Sequence, residues 1–278
     1  LVFTGSFMPV SFIPIIMKDL YKPTFSLPKS LILGIPLSIE GLFAFIAILG
    51  SGYIINKKGY KPLLILGIFI FAFGTLLSSN ISNVYIFIFS RSIVGLGLGF
   101  MIISMRMFVI STNSETKKDE GIVAMNSGAL AGISCGVVIG GMIADRFGYP
   151  MVFFISIGVI SLAQIFTVFI MKNNIKALPK LSFKENIRNS FKKFSSDSEM
   201  LKFFILISIP VSIASMFLIF YLPIYTDIIG VSTVNVGRAF LINGICVICL
   251  SPILSKYVTK NFGILKSLVL SITIIGFS

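Results

Sequence analysis

Residues 52–62 read Gly-Tyr-Ile-Ile-Asn-Lys-Lys-Gly-Tyr-Lys-Pro, a short basic segment between two long apolar runs at 31–55 and 63–77. An apolar run of about 18 or more residues is typical of a helix that crosses a bilayer. Two such helices joined by so short a segment form a tight hairpin, and its tip lies at the membrane surface. Short cytoplasmic loops carry an excess of Lys and Arg, so the three lysines predict that this turn faces the cytoplasm.

The same pattern returns at residues 141–150, which read Gly-Met-Ile-Ala-Asp-Arg-Phe-Gly-Tyr-Pro. Both copies fit Gly-x-x-x-(Asn/Asp)-(Lys/Arg)-x-Gly-Tyr, and Asn56 and Asp145 are 89 positions apart (145 − 56). The copies follow the second and the fifth predicted helix, so each repeat is three helices long. Because three crossings are an odd number, the second triplet enters the bilayer from the opposite face. We predict an inverted-topology repeat, a design in which one half of a transporter rocks against the other.

Composition supports a membrane protein and argues against other classes. Hydrophobic residues make up 56% of the chain and charged residues 12%, which is about half of what is usual in a soluble domain. The net charge of +13 comes from basic residues between apolar runs, where topology and anionic headgroups account for it, so we expect no nucleic-acid partner. The sequence has no His, no metal-ligand cluster, no nucleophile–base pair and no phosphate-binding loop. We therefore expect neither an enzyme nor a bound metal or cofactor.

Apolar runs predict nine membrane helices, of which the first and the last are incomplete. The first six cover residues 2–17, 31–55, 62–79, 84–109, 121–144 and 150–171, and the others cover 203–225, 234–257 and residues from 264 onward. The polar segments 18–30 and 111–120 are predicted loops. Because the chain begins and ends inside apolar runs, we expect a piece of a longer protein. The predicted fold is an all-α membrane protein with inverted three-helix repeats, divided into a six-helix bundle at 1–171, a cytoplasmic basic linker at 172–202 and part of a second bundle at 203–278.

The linker at 172–202 contains eight Lys or Arg. Within residues 180–194, the apolar side chains recur at near-helical spacing with basic residues between them. This pattern predicts an amphipathic helix that binds anionic lipid at the membrane surface, and an ordinary solvated linker helix is the alternative. With the 52–62 turn in the cytoplasm, sixteen Lys and Arg lie on the cytoplasmic side and five on the outer side.

The two turns and the basic segment after the sixth helix resemble the major facilitator superfamily, from within helix 1 to within helix 9 of an expected twelve. The match to the family's loop between helices 2 and 3, which the resemblance implies to be a gating turn, consists of Gly52, Asn56, Lys57, Gly59 and Lys61. Asn56 departs from the family's pattern, which usually has Asp at this position. An amide can cap a helix end, but it loses the charge-based part of a gating contact.

Residues 91–99 read Arg-Ser-Ile-Val-Gly-Leu-Gly-Leu-Gly and resemble the family's helix 4 motif, an Arg followed by closely spaced glycines. Glycines one turn apart let a neighbouring backbone approach closely. We therefore predict close helix packing at Gly95, Gly97 and Gly99.

The fifth predicted helix has a glycine face at four-residue spacing, formed by Gly128, Gly132, Gly136 and the pair Gly140–Gly141. This face resembles the antiporter motif of drug-exporting members of the family. That motif has Pro after the third glycine, where this chain has Val137, and the difference argues against drug export.

Two ionisable residues lie deep in apolar runs and are the first candidates for substrate binding or coupling. Glu40 is roughly 14 Å into the second helix and Arg91 roughly 10 Å into the fourth, and both helices run inward, so the two charges lie at similar depth. An unpaired charge in the bilayer costs about 2.5–3.5 kcal/mol, so we expect the two to pair or to face a wet cavity. Either they couple solute to protons, or they form a structural ion pair.

Two further polar residues are weaker candidates for the solute pathway. Arg106 lies nearer the cytoplasmic end of the fourth helix, where its side chain either reaches the headgroups or binds substrate. Asn126, in the fifth helix, either lines the pathway or bonds across helices.

The resemblance and the repeat lead to one functional prediction. We expect a multi-pass protein of the cell membrane, in a bacterium the inner membrane, that moves a small solute by alternating access and is driven by H⁺ or by the solute gradient. The alternative is a membrane sensor or anchoring module of a larger signalling protein.

Overall fold

The computed structural model describes residues 1–20, 29–80, 83–111, 115–170 and 195–213, together with isolated residues between 225 and 261. Within these ranges the regular elements are the helices α1 Val2–Phe7, α2 Ile13–Leu20, α3 Lys29–Lys58, α4 Tyr60–Ser78, α5 Val84–Ile110, α6 Glu115–Phe147, α7 Tyr149–Ile170 and α8 Ser198–Phe203. A π-helix, Phe204–Ser208, continues directly from α8. Five stretches are long and apolar enough to cross a membrane: Ile32–Lys58, Tyr60–Ser78, Val84–Ile110, Ala124–Phe147 and Tyr149–Thr167.

The predicted continuous helix at 2–17 is wrong, because α1 and α2 are separated by an irregular segment at 8–12. In this segment the N–H of Val10 bonds to the carbonyl of Phe7, three residues earlier, at 3.3 Å. Pro9 and Pro14 have no backbone N–H, so neither can continue the four-residue ladder of an α-helix. The irregular segment is buried, so protein rather than lipid surrounds it, as a bilayer requires.

The two predicted loops are shorter than expected. Helix α2 extends to Leu20, and α6 begins at Glu115 rather than at residue 121. The added turns of α6 consist largely of Glu and Lys, which have high helix propensity but no apolar signal, so a search for apolar runs misses them. The predicted linker and its lipid-binding segment at 180–194 fall mostly on residues 171–194, which lie outside the described residues. The domain limits therefore stay predictions.

The two repeated turns have the same backbone geometry. Gly59 and Gly148 both have positive φ, +84° and +80°, which favours glycine at each turn. The N–H of Gly59 bonds to the carbonyl of Ile55 at 2.8 Å, and the N–H of Gly148 bonds to the carbonyl of Ala144 at 2.9 Å. Each turn is followed at once by a helix that begins with Tyr. Three of the apolar spans lie between the turns, so spans that cross the bilayer place them on opposite faces.

The packing of the helices repeats as well. Helix α5 packs most extensively against α3 and α4, and α1 packs against α6 and α7. If α1, α3 and α4 form one triplet and α5, α6 and α7 the other, each triplet's first helix packs on the second and third helices of the other. The remaining large contact joins the two third helices, α4 and α7. The described helices thus form two intertwined triplets, and large apolar side chains such as Phe69 and Phe169 remain exposed on their outer surface, as expected for contact with lipid.

Candidate functional site

The structure brings Glu40 of α3 and Arg91 of α5 together in a buried ion pair. The Nε of Arg91 donates to Oε2 of Glu40 at 3.1 Å, and Nη2 donates to the same oxygen. Arg91 is only 1% exposed and Glu40 7%. A charge removed from water in this way needs a partner, and each residue supplies it for the other.

The ion pair belongs to the same helix crossing as two of the predicted packing glycines. Arg91, Gly95 and Gly99 are spaced by four residues and so lie on one face of α5. A Cβ on Gly95 would lie 2.9 Å from the carbonyl carbon of Glu40 and closer still to its oxygen, and a Cβ on Gly99 would lie 2.8 Å from the Cβ of Ala47. Both glycines are therefore required for the close approach of α3, which brings Glu40 within reach of Arg91.

Gly97 faces a different neighbour. A Cβ at this position would lie 2.5 Å from the backbone nitrogen of Phe71 and 2.7 Å from the carbonyl oxygen of Gly67, both in α4. Nearby, the hydroxyls of Ser78 in α4 and Ser90 in α5 are hydrogen bonded at 2.7 Å. Helix α5 is thus fixed between α3 on one side and α4 on the other.

The glycine face of α6 packs against α1, at the crossing that the repeat makes equivalent to α3–α5. A Cβ on Gly132 would lie 2.8 Å from the Cβ of Phe3. On Gly136 and Gly140 it would overlap the carbonyl oxygens of Thr4 and Met8. The helices approach closely at both equivalent crossings. At the α3–α5 crossing the glycines lie on α5, the first helix of its triplet, whereas at the α1–α6 crossing they lie on α6, the second helix of its triplet.

The gating-turn residues lie at the end of α3 and the start of α4. Lys57 is exposed, Gly52, Asn56 and Lys61 are partly buried, and Gly59 is buried as the linking residue. In the second copy of the turn, Asp145 and Arg146 are both exposed at the end of α6. The acidic residue that the first copy lacks is therefore present, and accessible, in the second.

Arg106 and Asn126 do not join the ion pair. Both are exposed, Arg106 on α5 and Asn126 on α6. Arg106 lies fifteen residues beyond Arg91, or about 22 Å along the helix. The four predicted candidates therefore do not form one site: Glu40 and Arg91 form a buried pair, and the other two lie apart from it.

Sequence reasoning missed the small hydroxyl residues that connect or line the helices. The hydroxyl of Ser156 in α7 donates to the carbonyl of Gly5 in α1 at 2.7 Å. Within the described ranges, the buried hydroxyls of Ser6, Ser11 and Ser104 have no hydrogen-bond partner. Only Ser156 had a sequence signal, namely Pro9, which leaves the carbonyl of Gly5 without its usual helical donor. In the same part of the chain no group of three or more His, Cys, Asp or Glu could hold a metal ion.

Comparison with known proteins identifies the class to which this fold belongs. The family model for the Major Facilitator Superfamily matches residues 1–278, so the chain belongs to that superfamily. This membership confirms the predicted family and fold class, and it agrees with the expectation that the chain is not an enzyme.

The matches to individual relatives are shorter than the match to the family model. The chain is 28% identical over 147 residues to the multidrug resistance protein MdtG of Salmonella arizonae, a match that covers 53% of this chain and 36% of the relative. It is 27% identical over 147 residues to MdtG of Klebsiella pneumoniae, covering 53% of this chain and 35% of the relative. These matches thus span about a third of the relatives' length. The crystal structure of a D-xylose-proton symporter superposes with a TM-score of 0.67 at 16% identity, over 94% of this chain and 66% of that one, and it supports the fold alone.

Proposed function

We propose that the chain is part of a secondary transporter that moves a small organic solute across a bacterial cell membrane by alternating access. The observation that carries this proposal is the inverted pair of helix triplets, with matching turns at Gly59 and Gly148 and matching crossings at α3–α5 and α1–α6. Two such triplets of opposite orientation can form alternative arrangements open to either face. Membership of the superfamily and the bacterial origin of the named relatives support the same proposal.

Glu40 is the group we assign to proton coupling. Both hydrogen bonds from Arg91 reach Oε2, so Oε1 is the oxygen that can take up a proton without first displacing the guanidinium. Protonation would remove the negative charge from the pair and weaken the contact between α3 and α5. The competing hypothesis is that the ion pair is purely structural. The Glu40→Gln variant distinguishes the two roles, because an amide cannot take up the coupled proton.

The relatives' names suggest two classes of solute to test. MdtG is named for multidrug resistance, and the structural neighbour carries D-xylose with protons. Val137, in place of the proline of the drug-export motif, argues against the first class. The intact protein is therefore screened with sugars and with lipophilic drugs, by the rise in its thermal unfolding temperature on binding.

Uptake of the stabilising solute into proteoliposomes, with and without an imposed pH gradient, then tests transport and coupling. We expect accumulation driven by the gradient in the unmodified protein, and in Glu40→Gln exchange of the solute without gradient-driven accumulation. Glu199→Gln, which alters an exposed carboxylate of α8, is the control and is expected to behave like the unmodified protein. A solute that binds but does not cross the membrane would contradict transport and favour a sensor. Normal accumulation in Glu40→Gln would contradict coupling through Glu40.

A further inference from the structure

The irregular segment in the first membrane helix leaves one backbone carbonyl without its usual partner. In an α-helix the carbonyl of residue i accepts from the N–H of residue i+4. For Gly5 that residue is Pro9, which has no N–H. The hydroxyl of Ser156 takes its place, donating to the carbonyl of Gly5 at 2.7 Å from a helix 151 residues away in sequence. Ser156 is fully buried, and so is Gly5, so water does not compete for this bond.

The equivalent crossing of the repeat, between α4 and α5, has no proline. Gly67 is 89 positions before Ser156, the same spacing as between the turns, and it faces the carbonyl of Gly97. Gly97 is 92 positions after Gly5, so α1 and α5 are matched at this point by their contacts, with a shift of three residues (92 − 89). A Cβ on Gly67 would lie 3.0 Å from that oxygen and 3.1 Å from the backbone nitrogen of Met101. Since α5 is continuous here, the N–H of Met101 is in position to satisfy the carbonyl of Gly97.

The two crossings therefore differ by a matched pair of residues. Where the α4–α5 crossing has a residue with an N–H, Met101, and a glycine opposite, Gly67, the α1–α7 crossing has Pro9 and a serine opposite, Ser156. A side chain at position 67 would crowd an already satisfied carbonyl. At position 156 the hydroxyl supplies the donor that the proline removes. Each member of the pair accounts for the other.

We propose that Ser156 is a positioning residue, which fixes the irregular segment at 8–12, between α1 and α2, by replacing the backbone donor lost at Pro9. Buried hydroxyls without partners, Ser6 and Ser11, lie on either side of Pro9. Discontinuous helices in transporters are typical of the places where substrate and coupling-ion sites form. The functional part of this inference, that the irregular segment takes part in the transport cycle, rests on the proposed transport function. The structural part does not.

A double-mutant cycle measured by thiol labelling tests the structural part without any solute. The reporter is Ser11→Cys in the intact protein in membranes, with Cys135, Cys246 and Cys249 replaced by Ala, because Ser11 is buried within the irregular segment. A small membrane-permeant alkylating reagent measures how often this position opens. We expect Ser156→Ala to speed labelling about tenfold or more, because it leaves the carbonyl of Gly5 buried without a donor.

Restoring the backbone donor is the decisive arm of the cycle. In a Pro9→Ala background the N–H at position 9 can bond to the carbonyl of Gly5, so adding Ser156→Ala is expected to change the labelling rate less than about twofold. Thr167→Ala is the matched control, since this hydroxyl is also buried in α7 but bonds to Ala163 within its own helix at 2.9 Å. It is expected to have no coupling to Pro9→Ala. An equal effect of Ser156→Ala in both backgrounds would overturn the proposal, as would no effect in either.

Uptake by the same variants separates the two parts of the inference. Coupling between positions 9 and 156 in labelling and also in the maximal rate of uptake supports the whole proposal. Coupling in labelling with unchanged uptake kinetics would overturn the functional part alone. If Ser156→Ala lowers expression, the same cycle is measured from the thermal unfolding temperatures of the purified variants, with the same criterion of non-additivity.

Discussion

Replacing either member of the Glu40–Arg91 pair by an apolar residue of similar length should destabilise the protein strongly. In Glu40→Met the guanidinium of Arg91, 1% exposed, keeps its charge but loses the carboxylate that accepts both of its hydrogen bonds. Removing one partner of a buried pair typically costs about 3–5 kcal/mol. Arg91→Met leaves the carboxylate of Glu40 unpaired and should cost about the same.

The double variant Glu40→Met/Arg91→Met separates the cost of an orphaned charge from the value of the pair. Because an apolar pair of similar volume needs no compensation, we expect the double variant to lie within about 1–2 kcal/mol of the unmodified protein. That outcome corresponds to a coupling energy of about 4 kcal/mol or more, because the two single losses add to at least about 6 kcal/mol. The assay is reversible unfolding in lipid–detergent bicelles, with Arg106→Met as the exposed control and an expected change within about 0.5 kcal/mol. Additive losses in the double variant would refute the assigned pairing.

Three further expectations follow, two from the glycine positions and one from Asn56 in the first turn. Gly95→Ala should destabilise the protein by about 1–3 kcal/mol, because the added methyl group would overlap the backbone of Glu40. Gly41→Ala is the control: a Cβ there has nothing within 4 Å, so this change should stabilise the protein by about 0.5–1 kcal/mol. Equal unfolding temperatures for the two variants would count against the α3–α5 crossing. Gly59→Ala and Gly148→Ala should each cost about 1–2 kcal/mol, because both positions have positive φ; a neutral change at either one in the same unfolding assay would show that the turns are not equivalent. We expect Asn56→Asp to leave both turns intact and to slow thiol labelling at the cytoplasmic face, because the added negative charge supplies the charge-based part of a gating contact. Unchanged labelling would show that the turn has no such gating role.

Much of the fold was predictable because the strongest signals are local. The turns at Gly59 and Gly148 need a residue that accepts positive φ, and their shared pattern indicates the repeat directly. The long apolar helices are set by the thickness of the bilayer, so their existence and order follow from the sequence. The similar depth of Glu40 and Arg91 was also a sound guide, because both positions could be counted along their helices from the same face.

The features that sequence reasoning missed depend on tertiary contacts. The break between α1 and α2 could be predicted only with knowledge that neighbouring helices bury it, because prolines are tolerated in membrane helices when other groups satisfy the freed carbonyls. The role of Ser156 appears only when α7 is placed against α1. The glycines of α5 and α6 were predicted to pack, but which neighbour each one faces, α3 and α4 for the first set and α1 for the second, depends on the crossing geometry.

The separation of Arg106 and Asn126 from the ion pair has a similar cause. A polar residue in an apolar helix is equally consistent, in sequence, with a cavity, a headgroup or a contact between helices. The structure shows both residues exposed, whereas Arg91 is buried, and Arg106 lies fifteen residues beyond Arg91 on α5. Their assignment to the solute pathway therefore stays a prediction.

Opposite orientation of the two helix triplets is tested most directly by the sidedness of their turns. Single cysteines are introduced at Lys57 and at Arg146, which are both exposed, in protein free of native cysteine. A membrane-impermeant thiol reagent is then applied to intact cells and to inverted vesicles. We predict that Arg146→Cys is labelled only in cells and Lys57→Cys only in inverted vesicles. Labelling of both cysteines from the same side would contradict the inverted repeat and the transport mechanism built on it.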